Sequence, residues 1–76
     1  MVKIILKSFK DGIADLHCLP NGKEENSFDI RLDVINKKLI SSTKEKDNYM
    51  IHAIYKIYKI YDETNTIPKM AISVWY

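Results

Sequence analysis

The chain of 76 residues has room for one domain and one modest core, since a chain this short buries only roughly 60–65% of its unfolded surface. Its 12 basic and 10 acidic residues are interspersed and leave a formal charge of +2. That is neither the gathered basic excess of a nucleic-acid binder nor the negative surface of a nucleic-acid mimic. A single cysteine excludes an intramolecular disulfide and points to a reducing, cytoplasmic compartment, and with only two Gly and two Pro the whole chain is expected to fold.

The first stretch, MVKIILKSFKDG, carries lysines through its apolar part and lacks a small-residue cleavage site, so it reads as a strand and not as a signal peptide. No run is long and apolar enough for a transmembrane span. From Val2 to Lys10 the residues alternate. Val2, Ile4 and Leu6 share a dry face, and Lys3, Ile5, Lys7 and Phe9 an amphipathic one. Asp11-Gly12 is a strong hairpin signal, because a two-residue turn demands positive φ. The return strand, Ile13 to Leu19, has Ala14, Leu16 and Cys18 on one face and Ile13, Asp15, His17 and Leu19 on the other.

Pro20-Asn21-Gly22 makes a second turn, widened by the polar tip from Lys23 to Ser27. The third strand, Phe28 to Val34, alternates cleanly, with Phe28, Ile30, Leu32 and Val34 inward and Asp29, Arg31 and Asp33 outward. A turn at Asn36-Lys37-Lys38 leads to a short fourth strand at Leu39 to Ser41.

From Tyr49 to Tyr61 the segment YMIHAIYKIYKIY is the longest apolar run. His52, Lys56, Lys59 and Glu63 are spaced to stack on one side of an α-helix, leaving Met50, Ile51, Ile54, Ile57, Tyr58 and Tyr61 on the other. Ile and Tyr are modest helix formers, so packing must hold this helix. Ser42 with Glu45 three residues on matches a capping box, and Asp47 is a second N-cap candidate; Ser42 or Thr43 is the expected start. Pro68 blocks continuation. The last strand, Met70 to Tyr76, is expected to turn Met70, Ile72, Val74 and Tyr76 toward the helix and Ala71, Ser73 and Trp75 away.

The order β-β-β-(β)-α-β predicts an α+β fold: a two-layer sandwich with a mainly antiparallel sheet of four or five strands and one helix on one face. Val2, Ile4, Leu6, Leu16, Phe28, Ile30, Leu32, Ile72 and Val74 form the expected covered face. Strand order is left open.

No enzyme motif is present. Asp15 and His17 share a strand face, but Cys18 points oppositely and spoils a Cys-His pair. One Cys and two His form no recognisable metal-ligand spacing, and neither Gly precedes a helix as a phosphate cradle does, so no cofactor is implied. Size also argues against an enzyme, since a core and a deep pocket of several hundred Å³ do not fit together.

A two-layer fold leaves the second sheet face bare. Ile5, Phe9, Ile13, Ile35 and Trp75 are expected to project there among Lys3, Lys7, His17 and Arg31, as apolar anchors ringed by charge. The expected partner-binding residues are Lys3, Ile5, Lys7, Phe9, Arg31 and Trp75, in a small non-enzymatic module that engages a larger protein. Inhibitors of the immunity or anti-defence kind share this scale and simplicity. Two rival expectations are a nucleic-acid binder that stacks bases on Phe9 and Trp75 and an obligate homodimer pairing through open faces or edge strands.

Overall fold

A computed structural model describes residues 1–75. The elements run β1 (Val2–Lys10), β2 (Ile13–Pro20), β3 (Phe28–Asp33), β4 (Lys38–Ser42), α1 (Asn48–Thr64) and β5 (Met70–Ser73). The strands form one antiparallel sheet in the order β4-β3-β2-β1-β5, with β1 pairing both β2 and β5. This is the expected two-layer α+β sandwich.

The turns follow from their residues. Asp11 and Gly12 both hold positive φ, 54° and 78°, as a primed two-residue hairpin requires, and Lys10 pairs directly with Ile13 across it. Asn21 and Gly22 take the same conformation, and the Lys23 N–H closes their turn on the Pro20 carbonyl at 3.1 Å. Between β3 and β4 the Asp33 carboxylate accepts the backbone N–H groups of Ile35 and Asn36, an Asx turn that reverses the chain.

α1 lies across β1, β2 and β5. Met50, Ala53, Ile54 and Ile57 on its lower side meet Val2, Ile4, Ala14, Leu16, Cys18, Phe28, Ile30, Leu32 and Val34 of the β1–β3 segment, and Ile67 closes the end. Each large side chain buried there stabilises the fold by roughly 1.5–3 kcal/mol, which is how Ile- and Tyr-rich sequence becomes helical. At the far end Asn65, in the left-handed conformation, donates its N–H to the Tyr61 carbonyl and ends the helix before Pro68.

The helix begins later than expected. Asp47 is the N-cap, accepting the Met50 N–H at 2.9 Å, whereas Ser42 ends β4 and Thr43 extends its pairing through Asp29. Burial alone pushes the Asp47 carboxyl up, but Lys44 and the Met50 N–H outweigh it and hold the group below the ordinary range. The carboxylate therefore wins the cap because it is charged, close to Lys44 and aimed at the first free N–H groups.

Two expected facings are reversed. β1 carries a bulge between Leu6 and Ser8, so Leu6 and Phe9 both end up on the helix side. The last strand stops at Ser73, and its phase is opposite to expectation: Ser73 is buried and Ala71 half-buried, while Met70, Ile72 and Val74 are exposed. Tyr76, expected on the covered face, lies outside the described residues.

Candidate functional site: the outer sheet face

The outer face divides into two zones. Its centre is a lattice of paired charges laid down by the register of β1, β2 and β3. Asp15 sits opposite Arg31 and His17 opposite Asp29, so each cross-strand pair joins opposite signs. The Arg31 guanidinium donates through Nε to Asp15 Oδ1 at 2.6 Å and through a terminal nitrogen to Oδ2 at 3.2 Å, while Ser8 donates to the same carboxylate. Arg31 above all, with Ser8 behind it, holds the Asp15 carboxyl below the usual range.

His17 is clamped at both nitrogens. Nδ1 lies 2.6 Å from Asp29 Oδ1, and Nε2 lies 3.0 Å from Glu24 on the β2–β3 loop. Asp29 first and Glu24 second raise the pKa of the imidazole, and His17 in turn depresses that of Asp29, which Lys7 also approaches at 3.6 Å. Asp15 is thus matched by Arg31, and Asp29 by His17 and Lys7. Among the described residues no three His, Cys, Asp or Glu side chains gather as a metal site. Cys18 is buried on the opposite face, where desolvation pushes its thiol up to about 12 and leaves it inert as a nucleophile.

The second zone is apolar and lies at the β5 edge. Met70, Ile72 and Val74 are 48%, 41% and 59% exposed, with half-buried Ile5 beside them on β1 and Lys3 directly opposite Ile72. Lys7 borders it toward the charged centre.

Of the six residues expected to bind a partner, Lys3, Ile5, Lys7 and Arg31 occupy the outer face. Phe9 and Trp75 do not. The Phe9 ring meets Tyr61 of α1 edge-on at 5.8 Å, because the bulge turns it under the helix. Trp75 packs between Tyr49 and His52 of α1. No Phe, Trp or Tyr among the described strand residues faces outward, so the base-stacking platform expected from Phe9 and Trp75 is missing from this face. Ile13 is half-buried there, whereas Ile35 sits exposed in the β3–β4 turn and contributes nothing to the patch.

Met70, Ile72 and Val74 were hidden by phase. In MAISVW both alternating sets contain apolar residues, so hydropathy does not say which set meets the helix. The usable signal was size. Ala71 and Ser73 are small enough to lie under a closely packed helix, and Trp75 in the same set is the ring that locks onto it. Lys7-Ser8, two polar residues in succession, likewise marked the bulge in β1.

A cleft of about 600 Å³ also opens between the β2–β3 loop and the start of α1, lined by Asn21, Lys23, Glu25, Lys44, Asp47 and Tyr49. Its volume is one that the chain length argued against. It is open and polar, and Lys44 is bonded to Asp47 within it, which is unlike the apolar enclosed pockets that bind small molecules. No helix of the described residues is long and apolar enough to cross a membrane. Comparison with protein-family models, curated proteins and solved structures finds no match for the chain.

Proposed function

We propose that this chain is a non-enzymatic protein-binding module that engages a larger protein through the β1–β5 side of its outer sheet face. The carrying observation is the contrast between the two zones of that face. The charged centre is self-satisfied, so it offers little to a ligand without breaking existing pairs. The adjoining strip of Ile5, Met70, Ile72 and Val74 leaves apolar surface in water, with Lys3 and Lys7 as a polar rim. An inhibitor acting by surface blockade fits this arrangement, because it needs a patch and a rigid scaffold but no reacting group.

Affinity capture from the native cell, comparing the wild-type chain with Ile5→Lys, tests this reading. Ile5 belongs to the patch but not to the free edge, and circular dichroism checks that the variant folds. The expected result is a defined protein that binds wild type, is lost with Ile5→Lys and persists at high salt. Identical capture by both chains, or capture of nucleic acid that falls steeply with salt, overturns it.

A further inference from the structure

The free edge of β5 has a property that its apolar side chains alone do not supply. Leu6 donates its backbone N–H to the Lys69 carbonyl at 2.9 Å, which makes Leu6 and Lys69 a hydrogen-bonded pair of the β1–β5 ladder. Alternation along the antiparallel register then gives Ala71 and Ser73 their bonds to Ile4 and Val2, while Met70 and Ile72 direct their N–H and C=O groups away from β1. The residues with exposed apolar side chains are thus the ones with outward backbone groups.

The opposite edge of the sheet is protected. β4 begins at Lys38, ends in Ser41 and Ser42, and carries a bulge where its pairing with β3 shifts between Arg31 and Leu32. Charge, hydroxyls and a bulge are the devices that blunt an edge strand. From Met70 to Val74 the segment has no charge and no proline, and the pairing of Met70–Ser73 with β1 is regular.

We infer that the free edge of β5 pairs with β5 of a second copy of this chain, antiparallel about a two-fold axis at Ile72. The sequence around that point is self-complementary. Ile72 meets Ile72 of the second copy, and Met70 meets Val74 of the second copy on both sides of the axis, so every outer-face pair is apolar. Ala71 meets Ser73 of the second copy on the helix side. A heterologous strand needs no such symmetry, and a symmetric dimer does. Lys3 lies one strand further in, so the two Lys3 side chains are separated by three strand spacings, about 14 Å, beyond the range at which exposed like charges repel strongly.

The dimer joins two five-stranded sheets into one and sets two copies of the Ile5, Met70, Ile72 and Val74 strip side by side. In that respect it deepens the binding reading above and rests on it for its purpose, though the pairing itself is measured independently. So short a strand pair buries less than the roughly 1,200–2,000 Å² of a standard interface, which makes a weak, concentration-dependent dimer the expected form.

Sedimentation velocity on the purified chain, from micromolar to roughly 1 mM, reads the pairing directly. Reversible dimer formation is expected, and Ile72→Lys, which sets two ammonium groups opposite each other on the axis, abolishes it. Ile72→Pro does the same by removing an outward N–H that β1 does not use, with circular dichroism unchanged. Ile72→Cys crosslinks to itself under mild oxidation, since opposed hydrogen-bonded pairs lie at about 5.5 Å between Cα atoms, within disulfide reach; the equivalent change at Ile40 does not. A chain that stays monomeric throughout, or a dimer indifferent to Ile72→Lys and Ile72→Pro, overturns the inference. Partner capture by Ile5→Lys is scored separately, so loss of either result leaves the other interpretable.

Discussion

The imidazole of His52 lies flat against the indole of Trp75, with ring centroids 3.9 Å apart and planes within 6° of parallel, while Tyr49 meets the same indole edge-on at 5.6 Å. His52 and Tyr49 belong to the start of α1, and Trp75 follows the last strand. The contact therefore ties the end of the described chain to the helix, across the side where β5, among the described residues, has β1 as its one strand neighbour.

Trp75 is accordingly a structural clamp, and Trp75→Ala is expected to cost about 2 kcal/mol through lost burial and ring contacts. Urea unfolding followed by circular dichroism measures this, because the substitution removes the chain's single tryptophan. His52→Ala, which keeps the indole, is expected to cost about 1 kcal/mol and to shift the Trp75 fluorescence toward that of a solvated ring. Unchanged stability in both variants would sink the clamp.

Gly12 is required by its backbone conformation. Its φ of +78° is hostile to a side chain, while the 2.5 Å approach of a Cβ to the Ile35 Cδ1 atom meets only the tip of an exposed side chain that can swing into solvent. Gly12→Ala is expected to destabilise the domain by about 1–2 kcal/mol. Adding Ile35→Ala removes the contact but not the backbone strain, so the double variant should recover little of the loss. Complete recovery would mean that φ carries no penalty here.

His17 makes stability depend on pH in a definite direction. Its folded pKa is raised above the unfolded value near 6.5, chiefly by Asp29 and then by Glu24, so its contribution is complete below about pH 6.5 and is lost as pH rises through the folded pKa. Asp29 works in the opposite sense. Its depressed pKa gives stability that is present above the ordinary carboxylate range and lost as pH falls through the folded value. The pair is strongest between those limits. Because Glu24 is largely in solvent and Asp29 partly so, the alkaline loss is expected to be about 0.5–1 kcal/mol. His17→Gln should flatten that part of the urea-unfolding profile, and parallel profiles for the two chains would refute the assignment.

Cys18 is expected to resist thiol reagents in the folded chain, since it is buried and its pKa is pushed up to about 12. Labelling should proceed only through global opening, so its rate should rise with urea in step with the unfolding constant. Rapid labelling in native buffer would place the thiol in a locally opening region.

Much of the architecture was legible in the residues because it depends on local periodicity. Phe28, Ile30, Leu32 and Val34 alternate, Asp11-Gly12 demands a primed turn, and Ile54 and Ile57 repeat at helical spacing; each is a property of a few neighbouring residues. Of the outer sheet face, Lys3, Ile5, Lys7 and Arg31 were legible for the same reason. Tertiary structure alone decided the rest. The bulge beside Lys7 turned Phe9 inward, and the phase of β5 was set by which of two apolar sets lies under the helix, Ala71 and Ser73 being the set small enough. That choice is a matter of volume between layers, which alternation along one strand does not encode, and it is what brings Met70, Ile72 and Val74 to the surface.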